Sequence, residues 1–302
     1  MSSGTTSTIE SAQCVFFGSG PVAARSLELL SEHTAIEAVV TKPKPAHHRG
    51  EAPVIEFAET HDLPLYTAST KSELDGLIQQ THFASRYAVL IDFGIIVSQS
   101  VIDTFALGII NSHFSLLPRL RGADPITWAI ADGEPETGVS LMLIDDGMDT
   151  GKLLAQRSLS LDSSETAPTL TDTLIDLSDR LIREYVPQYL AGELSPYDQP
   201  HPDRATYSRK LTKADGVIDL SQPADVIERR IRAFVEWPQS RTRLGDIDVI
   251  VTQAHVSDEA TELSLPCGDG RYLAIDALKP SGKKEMPARA FLAGYRHKLH
   301  NS

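Results

Sequence analysis

At 302 residues, with 41% hydrophobic and 23% charged residues, the chain has a globular composition and is long enough for two domains. Its two cysteines, Cys14 and Cys267, stand at opposite ends with no ligand-like spacing, which argues against a disulfide framework and a zinc site and fits a reducing cytoplasm. A net charge of −13 speaks against indiscriminate nucleic-acid binding, and no apolar run approaches the ~20 residues a membrane span needs.

Residues 1–13 are polar, lack a basic start followed by an apolar stretch, and are expected to be a frayed tail rather than a secretory signal. Cys14 to Phe17 then reads as a buried strand entering the turn Gly18-Ser19-Gly20, with a helix from Pro21 to Leu30. A second strand covers Ala35 to Thr41, and "KPKPAHHRGEAP" after it holds too many prolines and charges for regular structure. A helix is expected over Val54 to Thr60 and a strand over Tyr87 to Gly94, while Ile109-Ile110 ends another strand. Strands alternating with helices predict a doubly wound parallel α/β sheet. Gly138–Asp145 and Lys152–Leu161 read as strands around "DDGMDTG", and Thr169 to Leu190 has helical spacing.

The proline- and charge-rich segment 191–206 reads as a linker between a domain over 14–190 and a second over 207–302. The second begins with an amphipathic helix, Pro223 to Phe234, and continues in short alternating runs that suggest a small β-barrel. From Tyr207 to Ser302 there are 15 Lys/Arg against 13 Asp/Glu, so the acidity lies in the first part. A polyanion would therefore meet the C-terminal part or local basic loops, unless the two halves simply carry solvated faces of different sign.

Gly18-x-Gly20-x-x-Ala23 loosely matches a dinucleotide fingerprint, but the second strand ends in Val40-Thr41-Lys42 with no carboxylate for a ribose. Close packing of helix on strand, or a nest for another ligand group, is the better reading. The segment "IINSHFSLLP" places Asn111, Ser112 and His113 at the carboxyl end of a strand, where open α/β sheets bind ligands. An Asn amide can donate to an oxygen gaining charge, and a His can exchange a proton near neutral pH. Asn111 as a turn cap and His113 bonded to backbone remain the plain alternative. The turn "IDDGMDTG" adds three carboxylates among two glycines, and its spacing does not fit a calcium loop. A carboxylate brought to His113 would complete a set suited to acyl transfer to an amine without a covalent nucleophile.

The blocks "NSHFSLLPRLRGADPITWAI", "DGEPETGVSLMLIDDGMDTGKLL" and "YSRKLTKADGVIDLSQPADVIERRIRAFVEWPQSR" resemble the folate-dependent formyltransferases, within them the branch acting on methionyl-tRNA, over nearly the whole chain. The resemblance implies a Rossmann-like formyltransferase domain followed by an OB-like barrel. It implies 10-formyltetrahydrofolate as donor, no metal, and the amine of methionine on initiator tRNA as acceptor, handled by a cytoplasmic monomer with no membrane contact. An amino sugar linked to a nucleotide, or another small amine, is the alternative acceptor.

Carried over by position, the catalytic Asn, His and Asp fall on Asn111, His113 and Asp149. The folate contacts fall on Ser115, Leu116, Leu117 and Pro118, on Phe93, Gly94, Ile95 and Ile96, and on Ile144, Asp145, Asp146 and Gly147. The tRNA contacts fall on Lys42, Lys44 and Arg49 in the first basic loop, and on Arg229, Arg230, Arg232, Lys283 and Lys284 in the C-terminal part, where single arginines can equally serve ion pairs. Departures from the family pattern are Phe114 where glycine is usual, Asp92-Phe93 in place of alanine-tyrosine, and a shorter, less basic first loop. They bear on the acceptor more than on the reaction.

Overall fold

The computed structural model describes residues 13–44 and 52–299. Strand β1 (Cys14–Gly18), helix α1 (Pro21–Ser31), β2 (Ile36–Thr41), α2 (Pro53–Thr60), β3 (Leu65–Thr67), α3 (Lys71–Gln80), β4 (Ala88–Ile91), the short α4 (Gln99–Ile102) and β5 (Ile109–His113) follow one another. Next come β6 (Arg121–Gly122), α5 (Pro125–Ala131), β7 (Glu136–Leu143), β8 (Leu153–Ser160) and α6 (Ala167–Leu190). The remainder holds β9 (Tyr207–Ser208), α7 (Ala224–Ala233), β10 (Ser240–Leu244), β11 (Ile247–Ser257), β12 (Ser264–Pro266), β13 (Tyr272–Pro280), β14 (Met286–Pro287) and α8 (Ala288–Leu299).

The first sheet has the order β3-β2-β1-β4-β5-β7-β8. Neighbours from β3 to β5 are parallel, and β7 runs antiparallel to β5. Every residue of β1, β4 and β5 is buried, as in strands covered on both faces, which explains the unbroken apolar runs of β1 and β4. The chain winds outward from β1 to β3 and then returns to β4 on the other side of β1. That reversal opens a crevice at the carboxyl ends of the strands.

A Cβ on Gly18 would stand 2.7 Å from Cβ of Ala23 and 2.9 Å from the Ile91 carbonyl, so the glycine lets α1 approach the sheet. The packing reading of this motif is the one the structure carries. Phe17 anchors the core beside it, with its ring edge-to-face against Phe93 at 5.5 Å and Phe105 at 6.0 Å. Cys14 and Cys267 are free and buried, and burial pushes the Cys14 thiol up to about 12.

The chain divides into two compact units. Met1–Arg121, Gly138–Arg157 and Leu174–Ala205 form the first, and Gly122–Thr137, Ser158–Thr173 and Thr206–Ser302 form the second. Segments 122–137 and 158–173 thus cluster with the C-terminal residues rather than with the rest of 14–190. Trp128 accounts for part of this, since its Nε1 donates to the Arg209 carbonyl at 2.7 Å and its ring meets Phe234 edge-on. Of the stretch 191–206, expected as a linker, residues 191–205 cluster with the first unit. Tyr197 pairs with Leu153, and Gln199 is only 7% exposed.

The second unit is built on an antiparallel five-stranded sheet, β10-β11-β13-β12 with β14 on β13, curled as a half-barrel. Register shifts between Val251 and Ala254 bend β11. Ala224, Ile227 and Ile231 give α7 one buried stripe against this sheet. In the same unit Asp215 accepts from the Arg209 guanidinium and from Thr212 N at 2.8 Å and Oγ1 at 2.7 Å.

The Arg209 guanidinium foremost, with Thr212, holds the Asp215 carboxyl well below the usual carboxylate range. Its contribution to stability is fully present above pH ~4, where the unfolded carboxyl is already ionised, and is lost as pH falls toward the depressed folded value. Asp215→Asn should therefore lower stability at neutral pH by on the order of 1–2 kcal/mol. Melting curves in a pH series should show the gap from wild type closing below pH ~4.

Candidate active site

Asn111 and His113 lie two residues apart on β5 and so face the same side of the sheet. Ser112 between them points the other way and bonds Ser178 Oγ of α6 at 2.6 Å. The two side chains sit in the crevice described above, with Asn111 9% and His113 6% exposed. The Asn111 carboxamide has no hydrogen-bond partner among the described residues, so its donors are available to a ligand.

The imidazole is held at one nitrogen and faced at the other. His113 Nε2 donates to the Leu120 carbonyl at 2.9 Å, and because a carbonyl only accepts, this fixes the tautomer. Nδ1 then faces the Asp149 carboxylate, 3.8 Å from Oδ2. That is an electrostatic contact rather than a hydrogen bond. Both oxygen-supplying residues have left-handed backbones, Leu120 at φ 53° and Asp149 at φ 52°. Non-glycine residues rarely hold this conformation, and such strain gathers at functional sites.

The turn 144–151 is closed by its own first carboxylate: Asp145 accepts from Gly147 N at 3.1 Å and Thr150 Oγ1 at 2.8 Å. At its far end a Cβ on Gly151 would stand 1.8 Å from the Leu143 carbonyl. Gly151→Ala must push the turn off β7 and is expected to cost on the order of 2–4 kcal/mol, read from the denaturation midpoint.

The segment after His113 is also tied down. Ser115 Oγ donates to the Arg119 carbonyl at 2.6 Å, and Ser140 Oγ donates to the Ser115 carbonyl at 2.6 Å and accepts from Leu117 N at 3.1 Å. Gln156 Nε2 donates to both Ser140 Oγ, at 2.8 Å, and the Leu117 carbonyl, at 2.9 Å.

The other sequence candidates divide by burial. Phe93, Leu117 and Pro118 are buried, with Phe93 in the Phe17 core and Leu117 packed with Met142 and Leu153. With these side chains committed to the core, what Phe93 and Leu117 can offer a ligand is their backbone groups. Leu116, Ile95, Ile144 and Asp145 are half-buried, Gly94, Asp146 and Gly147 are exposed, and Ile96 is 75% exposed. Phe114 is buried at 6% exposure.

Lys42 is half-buried and its Nζ lies 2.6 Å from where a Gly94 Cβ would stand, so it leans over that loop. Lys44 is exposed, and Arg49 lies outside the described residues. In the second unit Arg229 pairs with Asp225 at 3.0 Å and Arg232 with Glu228 at 2.6 Å, both lining a cavity of about 490 Å³. These two arginines are thus ion-paired, as the i,i+4 spacing allowed. Arg230 is half-buried, and Lys283 and Lys284 are exposed in the turn between β13 and β14.

Sequence reasoning missed Ser140, Gln156 and Gln199, which fix the backbone around the site from a distance. Only Arg121, inside the quoted Pro-x-x-Arg-Gly block, had a local signal. No group of three or more His, Cys, Asp or Glu side chains among the described residues can hold a metal ion, and no helix there is long and apolar enough to cross a membrane.

The chain matches the formyl transferase family model over residues 12–186 and the formyl transferase C-terminal domain model over 210–296. The chain belongs to the formyltransferase family. Among curated relatives, the methionyl-tRNA formyltransferase of Myxococcus xanthus is 34% identical, covering 93% of this chain and 95% of that protein. That of Citrifermentans bemidjiense is 36% identical, covering 93% of each. Among solved structures, a sugar 3N-formyl transferase crystallised with dTDP and 5-N-formyl-THF superimposes with a TM-score of 0.66 at 18% identity, covering 90% of this chain and 98% of that one. An N-formyltransferase from Helicobacter canadensis gives 0.66 at 19%, covering 87% and 98%. These structures share the fold of this formyltransferase.

Proposed function

We propose that this formyltransferase moves the formyl group of 10-formyltetrahydrofolate onto the α-amine of methionine carried by initiator tRNA, in the cytoplasm. The observation that carries the acceptor is the likeness to methionyl-tRNA formyltransferases at 34–36% identity, with both halves of the chain included. The site suits the chemistry. Asn111 donates a hydrogen bond to the formyl oxygen as the amine nitrogen attacks its carbon. His113 takes the proton released by that nitrogen at Nδ1, the position not held by Leu120, and Asp149 beside it stabilises the imidazolium. As the bond from the formyl carbon to N10 breaks, the same proton passes to N10, so one amide forms and one is lost.

The turn at 93–96 and the turn at 145–151 fit the pterin. Their backbones supply polar groups, while Ile96 and Met148, 75% and 59% exposed, are the large apolar side chains available to cover its faces. Lys42, Lys44, Arg49, Arg230, Lys283 and Lys284 serve the tRNA backbone.

The test is kcat/KM for charged initiator tRNA beside that for a dTDP-linked amino sugar, across a salt series. Transfer to tRNA that weakens steeply with salt is expected, because each phosphate contact releases counterions. Transfer to the amino sugar with none to tRNA would overturn the acceptor.

A further inference from the structure

Asp149 stands in the left-handed region at φ 52°, and a side chain from outside the turn bonds its backbone there. Gln199 reaches the turn from 50 residues away in the chain: its Nε2 donates to the Asp149 carbonyl at 2.7 Å and to the Gly151 carbonyl at 2.9 Å. Its Oε1 accepts from Arg121 Nη2 at 2.6 Å. The guanidinium can only donate and the two carbonyls can only accept, so the amide is locked in one orientation. Both side chains are 7% exposed, in surroundings where competing water is scarce. Arg121 also directly follows Leu120, whose carbonyl holds the other nitrogen of His113.

We propose that Gln199, oriented by Arg121, is a positioning residue that sets the Asp149 carboxylate against His113. This rests on the role given to Asp149 above and adds what keeps that carboxylate in place. Gln199 touches neither substrate in this reading and acts through the backbone of the 149–151 turn. A residue with that role lowers the rate of the chemical step without weakening either substrate's binding.

The experiment compares wild type with Gln199→Leu, Gln199→Glu, Asp149→Asn and the Asp149→Asn/Gln199→Leu double variant. Gln199→Leu is expected to reduce kcat ~10- to 100-fold with both KM values within ~3-fold. Gln199→Glu should lose about as much, because a carboxylate still accepts from Arg121 but cannot donate to the two carbonyls. In the Asp149→Asn background the further loss should be under ~3-fold, as for residues that act through one another. A loss that multiplies in full onto Asp149→Asn, or Gln199→Glu at the wild-type rate, overturns the proposal.

A crystal structure of Gln199→Leu reads the same clamp without turnover. Withdrawal of the Asp149 carboxylate from His113 supports it, and an unmoved turn overturns it. Full activity in Asp149→Asn would remove the role of Asp149 itself, and the crystallographic readout separates that failure from a failure of the clamp.

Discussion

His113→Ala is expected to lower kcat for formyl transfer ~10³-fold while both KM values stay within a few-fold. The imidazole is the group placed to move a proton in this crevice, with one nitrogen anchored to a carbonyl and the other opposite a carboxylate. General acid–base catalysis is worth ~10²–10⁴-fold, and here the same group must both accept and return the proton. His113→Gln serves as a control for folding, since its amide can still donate to the Leu120 carbonyl but cannot carry a proton between substrates. It should melt near wild type and remain as slow as the alanine variant. Turnover within ten-fold of wild type in either variant would remove His113 from the mechanism.

Asn111→Ala is the second large effect, ~10²–10³-fold in kcat, the usual cost of one donor to a developing oxyanion. Its carboxamide is nearly buried and makes no hydrogen bond to the described protein, so its removal breaks no internal hydrogen bond. Stability should therefore change little, whereas a purely structural Asn would lose stability before rate. A variant that melts many degrees lower yet turns over normally would assign Asn111 to the fold and leave the oxyanion without this donor.

These side chains were legible because chemistry and position coincide on β5. The apolar run Ile109-Ile110 declares a buried strand, and the polar groups that follow it stand where such sheets bind ligands. Strands β1 and β4 were legible for the same reason of unbroken burial, and β2 for its buried run Ala38 to Thr41.

Edge strand β3 has only three residues, none of them buried, and such a segment carries no pattern to read. Helix α3 buries Leu74 and Ile78, one turn apart, but Gly76 between them interrupts the apolar signal. The division into units was hidden because it depends on contacts such as Trp128 with Arg209, between residues 81 apart in the chain. Gln199 was hidden more deeply. A single amide in a proline-rich stretch looks like any solvated linker residue until the fold brings it under the Asp149 turn.

The most direct measurement is a single-turnover reaction with 10-formyltetrahydrofolate and methionyl initiator tRNA, followed by mass analysis of the amino acid released from the tRNA. The account predicts N-formylmethionine from wild type, and unmodified methionine from His113→Ala over the same interval. Unmodified methionine from wild type, or N-formylmethionine at an undiminished rate from His113→Ala, would contradict it.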